Sequence, residues 1–247
     1  MTTEWDAATY DRISDPQARW GAEVLDRLPL EGDERVLDAG CGSGRVTALL
    51  LDRVPRGSVV ALDASEAMLE QARKNLGLDP RVEFIRADLG VRPLPLEGKV
   101  DAVFSNATFH WVADHDTLFA NLAAVMRPGA RMATQSGGEG NIANVIQALE
   151  EAGDEWGGSR SFAGVEETRR RLEASGFEDI RVWLRDEPTR FRSGVEFETF
   201  LATVVLRMHA ATRPAEERAA FIHDVASRLP EPVIEYVRLN IEARRAP

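Results

Sequence analysis

The residues of this chain best suited to hold a ligand are Asp38, Gly40, Gly42 and Gly44, in the run Asp38-Ala39-Gly40-Cys41-Gly42-Ser43-Gly44. Glycines permit positive φ and let a ligand approach the backbone closely. A dinucleotide loop of the form G-x-G-x-x-G seats a pyrophosphate on a helix N-terminus. Here the third glycine comes one residue early and the run opens with a carboxylate. A carboxylate suits an ammonium or hydroxyl groups, not a phosphate. Asp63, at the end of the next apolar segment, suits a pair of ribose hydroxyls. Asp88, after the segment beyond that, suits an adenine amino group, with Leu89 to flank the ring. An amino acid, a ribose and an adenine in that order describe S-adenosylmethionine as the expected cofactor.

The elements that must position these residues are legible from periodicity. A helical spacing of Trp20, Val24, Leu25 and Leu28 runs through 15–28 and stops at Pro29. A short strand at 35–38 enters the glycine loop, and a helix follows at 46–53. Strands at 58–62, 82–86, 99–105 and 130–135 alternate with helices at 66–76, where Ser65 is the N-cap, and 116–126. Such alternation predicts a doubly wound, mostly parallel α/β sheet of the Rossmann-like kind. Asp38, Asp63, Asp88 and Asn106 all fall at the C-terminal ends of strands, where open α/β sheets bind ligands. Beyond 137 the pattern changes: helices at 141–154 and 165–174, a strand at 180–184, two helices over 194–229 interrupted near Pro214, and a last strand at 236–243. This predicts a single domain, 1–247. It divides into an N-terminal cap (1–30), a cofactor-binding core (31–136) and a substrate-side half (137–247) carrying a helical insertion at about 194–230.

The 247 residues include 41 acidic and 30 basic ones, for a net charge of −11. So negative a surface argues against a nucleic-acid partner. The single cysteine, Cys41, excludes an internal disulfide and a multi-cysteine metal site; no metal is expected, and Cys41 reads as a small packing residue. The N-terminus lacks a basic and apolar leader, and no apolar run is long enough to span a bilayer. A cytoplasmic protein without a membrane partner is expected, acting on a small molecule as a monomer or homodimer.

The motifs resemble those of the class I methyltransferases. Val36 to Gly44 is similar to that family's first motif and Ala61-Leu62-Asp63-Ala64-Ser65 to its second. Ala87-Asp88-Leu89 is similar to the third, with Asp101 to Trp111 and Arg127-Pro128-Gly129 similar to later ones. The chain also resembles the trans-aconitate methyltransferase subgroup. That likeness is carried by Trp5 to Tyr10, Ser105 to Val112, Asp114-His115 with Leu118-Phe119, and the layout from Glu196 to Arg245. His110 stands where those enzymes carry Gln. The resemblance implies a seven-stranded sheet of order 3-2-1-4-5-7-6 with an antiparallel last strand and helices inserted between the last two strands. It implies cofactor contacts at Asp38, Ala39, Gly40, Gly42, Gly44, Asp63, Ala64, Met68, Ala87, Asp88, Leu89 and Asn106, with Trp5 and Tyr10 folded over the cofactor and Arg19 either meeting its carboxylate or standing as a solvated helix charge. It also implies methylation of a small-molecule carboxylate.

A methyl group on a sulfonium is already activated, so a carboxylate acceptor needs only alignment and loss of water. A hydroxyl or amine must lose a proton, and His110, just past the fourth strand, is the candidate catalytic base. Its alternative is a structural imidazole, packed on Trp111 or bonded to the backbone. Asn106 either bonds the methionine part of the cofactor or ends its strand. His115 after Asp114 reads as part of a helix cap. Substrate contacts are expected from His110, Trp111, Met208 and His209, and Arg190, Arg192 or Arg207 suit an acidic substrate. Oxygen methylation is thus expected, the alternatives being N- or C-methylation of a biosynthetic metabolite, or a silent cofactor-binding regulator.

Overall fold

The computed structural model describes residues 15–77, 79–156 and 161–247, with the side chains of the first helix from Arg19 onward. In chain order the elements run α1 (Asp15–Leu25), β1 (Arg35–Ala39), α2 (Arg45–Arg53), β2 (Ser58–Asp63), α3 (Glu66–Leu76), β3 (Val82–Arg86), β4 (Val100–Asn106), α4 (His115–Val125) and β5 (Met126–Gly137). The substrate-side half follows with α5 (Ala143–Glu151), α6 (Val165–Ala174), β6 (Phe177–Asp186), β7 (Thr189–Arg190), α7 (Gly194–Phe200), α8 (Arg207–Ala211), α9 (Arg218–Ser227), β8 (Val233–Ile234) and β9 (Val237–Arg245).

The main sheet has seven strands in the order β3-β2-β1-β4-β5-β9-β6. Strands β1 to β5 pair in parallel, whereas β9 pairs antiparallel with both β5 and β6. Counting only main-sheet strands, this is the 3-2-1-4-5-7-6 order. Alternation assigns the faces. Val36, Val59, Ala102, Phe104 and Ala133 pack beneath Val24 and Leu25 of α1, Leu28 just after it, and Leu50 and Leu51 of α2. Leu37, Val60, Leu62, Val103 and Met132 face the other way, onto Leu118, Phe119 and Leu122 of α4 and Leu172 of α6. Both faces are therefore covered, as a parallel sheet requires. A separate core joins Trp20 to Val145 and Leu149 of α5 and to Phe197, Phe200 and Leu201 of the insertion.

Several boundaries differ from expectation. The fourth helix stops at Val125 and β5 begins at Met126, so that Pro128 and Gly129 lie within that strand, at the irregularity where its register against β4 shifts, rather than ahead of it. The two expected helices of the insertion are broken into more pieces: α7 passes into a π-helical turn at Leu201–Val205 before α8, and a 3₁₀ turn at Ala215–Glu217 leads into α9. A two-stranded ribbon of β7 and β8 closes the base of this excursion. In β9 the apolar residues Leu239 and Ile241 face the α4 side as the alternation implies. The intervening Arg238 (2 % exposed) and Asn240 (0 %) are buried too, where the pattern alone would put them in water. Their side chains find partners: Asn240 Oδ1 accepts from Arg27 Nη1 at 2.7 Å and from Gln135 Nε2 at 3.0 Å, Asn240 Nδ2 donates to the Arg238 carbonyl at 3.0 Å, and Arg238 lies 4.5 Å over the Trp20 ring.

Candidate active site

Strand β1 lies between β2 and β4, so chain connections leave it in opposite directions and a crevice opens at its C-terminal end. The glycine loop sits there. Gly40, Gly42 and Gly44 all have positive φ, and Gly44 immediately precedes α2. The first two have different reasons to be glycine. A side chain on Gly40 would meet Thr108 at 2.1–2.6 Å, so that residue lets the β4 loop close over the β1 loop. A side chain on Gly42 would meet nothing within 4 Å, leaving open space beside the backbone where a ligand can lie.

The carboxylates around this loop are held in place. Asp38 is buried, and its Oδ2 accepts the Thr47 hydroxyl at 2.7 Å. Burial raises its carboxyl to about 7, against the opposing bond from Thr47 and with a further push from Asp63. A buried carboxylate so destabilised is one that a cationic group would relieve. Asp63 accepts the Gly42 N–H on Oδ2 and the Ser65 N–H on Oδ1, both at 2.9 Å, which binds the end of β2 to the glycine loop and to the cap of α3. Asp88 is exposed, with Oδ1 accepting the Gly90 N–H at 2.8 Å. Ala39, Met68 and Leu89 are buried, Ala87 and Asn106 half-buried and Ala64 exposed; Leu89 packs in the core on the α4 side of the sheet. Cys41 packs near Ala61 and Leu69, and burial pushes its thiol well up, as befits an unreactive residue.

After β4 the chain turns through Ala107, at φ 59, into a 3₁₀ turn at Phe109–Trp111. A left-handed alanine is a strained placement of the kind concentrated at functional sites. It brings His110 back to the end of β5, where Gly137 donates its N–H to His110 Nδ1 at 3.2 Å. The imidazole is buried (6 % exposed), with the Trp111 ring 5.3 Å and the Phe162 ring 6.0 Å away. Phe162 continues to Trp156 at 6.2 Å and Trp156 to His209 at 5.2 Å, the last two contacts stacked. His209 Nδ1 lies 3.4 Å from Asp154, which also accepts from Arg213 at 2.7 Å. Two of the expected substrate residues, His110 and His209, are thereby joined, and Trp111 borders them. Met208 is half-buried on α8.

Other expected residues lie elsewhere. Arg19 reaches Glu187 at 3.2 Å with its side chain 60 % exposed, and Arg190 pairs with Glu231 at 2.6 Å. Trp5 and Tyr10 lie outside the described residues. Asp114 caps α4 through the Thr117 N–H, while His115 Nε2 bonds the Phe109 carbonyl at 3.0 Å and burial lowers its pKa. Sequence reasoning missed Thr47, Thr108, Gly137, Trp156 and Phe162. Only the last two left a signal, as aromatics close together in a stretch otherwise poor in apolar residues.

With this geometry in view, comparison with known proteins is informative. Residues 36–129 match a family model described as a methyltransferase domain. The chain is 40 % identical over 131 residues to the trans-aconitate 2-methyltransferase of Azoarcus sp., covering 53 % of this chain and 50 % of that protein. It thus spans about half the length of the curated relatives it matches. Among solved structures, the YcgJ protein of Bacillus subtilis is similar with a TM-score of 0.66 at 15 % identity, covering 93 % of this chain and 99 % of that one. Phosphoethanolamine N-methyltransferase 2 of Haemonchus contortus is similar with a TM-score of 0.66 at 19 % identity, covering 98 % and 56 %. These two likenesses concern the fold.

Proposed function

We propose that the protein transfers the methyl group of S-adenosylmethionine to a carboxylate or hydroxyl oxygen of a small molecule, a reading supported by the match of residues 36–129 to a methyltransferase-domain model and by the likeness to trans-aconitate 2-methyltransferases. The observation that carries this reading is the open space at Gly42, whose N–H is held by Asp63, with the buried Asp38 near enough to Asp63 to be raised by its charge. When bound, the cofactor supplies a methyl group on a cationic sulfur. Asp38 would hold its ammonium, Asp63 its ribose hydroxyls, and Asp88 its adenine amino group, with Leu89 and Met68 beside the rings. Asn106, at the end of β4, faces the methionine part. The methyl acceptor in this reading is a small molecule, bound at the edge bounded by His110 and the insertion. Among the described residues no helix is long and apolar enough to cross a membrane.

Calorimetry with S-adenosylmethionine tests the donor half directly. Asp63→Ala should weaken binding by about 1–3 kcal/mol, since it leaves hydroxyl groups unpaired and unties Gly42. Unchanged affinity would place the ribose elsewhere. Labelled-methyl transfer to a panel of acids, phenols and amines, with trans-aconitate among the acids, tests the acceptor half. Transfer to amines alone would overturn the oxygen assignment.

A further inference from the structure

We propose that Asn141 selects oxygen over nitrogen as the methylated atom, by donating a hydrogen bond from Nδ2 to the reacting group of the acceptor. This rests on the reading of the domain as a methyltransferase, and names the side chain that sets its choice of nucleophile.

Asn141 stands on the turn that follows the C-terminal end of β5, the edge of the sheet where the glycine loop also lies. The path between them is short. Thr108 donates to the Gly40 carbonyl at 3.2 Å, His110 follows two residues on, and its Nδ1 takes the Gly137 N–H. A side chain at Gly137 would meet Asn141 Nδ2 and Phe162 Cε1, each at 2.8 Å. Glycine there lets the carboxamide lie against the strand end, beside Phe162 in the ring row that runs from His110 to His209. Backbone bonds fasten this turn to its surroundings. Gly138 donates its N–H to the Val237 carbonyl at 2.9 Å, Glu139 to Ala163 at 3.0 Å, and Ile142 to Glu235 at 2.8 Å. Ile142 is wholly buried at φ 57, a costly conformation for a β-branched residue. A strained residue fastened in this way holds its neighbour, Asn141, in one place.

One bond fixes which way the amide faces. Val237 offers an N–H, so the Asn141 atom that meets it at 3.0 Å is the oxygen, and the nitrogen turns toward Gly137. Asn141 is only 3 % exposed, yet among the described residues nothing accepts from Nδ2. A buried amide donor calls for an atom with lone pairs. Nucleophiles differ in how they meet such a donor. An ionised oxygen has several lone pairs. One accepts from Nδ2 while another forms the new C–O bond, the C–S pair stays with sulfur, and no proton leaves. An amine nitrogen has a single pair. Bonded to Nδ2 that pair cannot attack, and once protonated the amine sets donor against donor. A site that pairs with one group and mispairs with the other discriminates between them by more than shape.

Two substitutions separate recognition from structure. Asn141→Asp keeps an oxygen for the Val237 N–H and turns the donor into an acceptor, whereas Asn141→Ala loses both. Urea unfolding should find Asn141→Asp close to native and Asn141→Ala less stable. Across the panel of acids, phenols and amines, Asn141→Asp should lower kcat/KM for oxygen acceptors about tenfold or more, chiefly through KM, and leave transfer to amines undiminished. Oxygen acceptors within about threefold of native, or oxygen and amine acceptors falling together, overturn the proposal. A measurement on the native protein needs no knowledge of the acceptor. In ¹H–¹⁵N spectra the Asn141 side-chain amide pair, assigned through its nuclear Overhauser contacts with the Phe162 ring, should move on titration with formate. The titration is run with S-adenosylhomocysteine present and absent. A pair unmoved in both means that Nδ2 serves water alone, and the proposal fails. Calorimetry with S-adenosylmethionine keeps the two readings apart. Absent cofactor binding in the native protein defeats the proposed function itself, whereas intact binding and oxygen transfer that Asn141→Asp leaves unchanged defeat only this inference.

Discussion

Asp38 is a carboxyl that the apo fold holds at an energetic disadvantage. Its native value of about 7 lies above the ordinary 3.8, so the folded protein binds more protons than the unfolded chain between those values. Stability contributed by this group is present at low pH and lost as pH rises toward 7, a penalty on the order of 4 kcal/mol when complete. A cationic ligand favours the ionised form, so cofactor binding near pH 6.5 should release a fraction of a proton. Calorimetry in buffers of differing ionisation enthalpy reads that number, and binding with no proton exchange would remove Asp38 from the ligand. Asp38→Asn should raise apo stability at about pH 8 by a kcal/mol or more while weakening the cofactor, measured by urea unfolding and titration respectively. The identity of Asp38 as a site residue was readable from its place before three glycines. Its perturbed acidity was not, because that depends on Thr47 and on complete burial, neither of which any spacing reveals. His110 is a similar case. Its position after β4 marked it as a candidate, but the bond that holds its ring comes from Gly137, a residue far along the chain that carries no chemical signal of its own.

The glycine loop shows how one element serves two ends. Gly40 is glycine for the fold, since Thr108 occupies the space its side chain would need, whereas Gly42 has open space beside it and, on the proposed function, leaves that space to the cofactor. Gly40→Ala should therefore destabilise the apo protein strongly, through both the clash and the positive φ. Gly42→Ala should cost only about 1 kcal/mol in urea unfolding, the ordinary strain of φ 54, yet weaken cofactor binding about tenfold or more. Equal effects of the two substitutions on stability would dissolve the distinction. At this scale strands and helices of the core were largely legible, because buried parallel strands and amphipathic helices have distinct periods. The insertion was less so. Its π-helical turn at Leu201–Val205 and the β7–β8 ribbon are short pieces decided by tertiary packing around Phe197 and Phe200, not by local propensity. The ring row lay outside the reading for the same reason, since Trp156 and Phe162 meet the histidines only once α5 and α8 are docked.

Across the whole molecule, the sheet is fastened to the N-terminal helix by a buried polar cluster. Asn240 stands at its centre, with one oxygen accepting from Arg27, in the turn that ends α1, and from Gln135 of β5. Asn240→Ala would strand two buried donors and should cost about 2–4 kcal/mol, measured by urea unfolding and expected without change in the fold. A change under about 0.5 kcal/mol would mean that water or a side-chain shift replaces the lost oxygen. Sheet order was available from resemblance alone. The polar cluster was not, because Arg238 and Asn240 read as the wet face of an alternating strand, and their burial follows from β9 being an interior strand covered by α1.

One consequence of that topology concerns how the protein can change. Strands β6 and β9 are adjacent, with Asp186 opposite Val237, so the excursion between them departs and returns at neighbouring points of the sheet. Loop closure there is set by the two strands and depends only weakly on what lies between. The insertion can thus be lengthened, shortened or exchanged without moving β1, its glycines or the carboxylates that flank them. On the proposed function, acceptor choice and donor binding are therefore separable under selection, and a graft of another 187–236 segment onto this sheet is the natural unit for redirecting the chemistry.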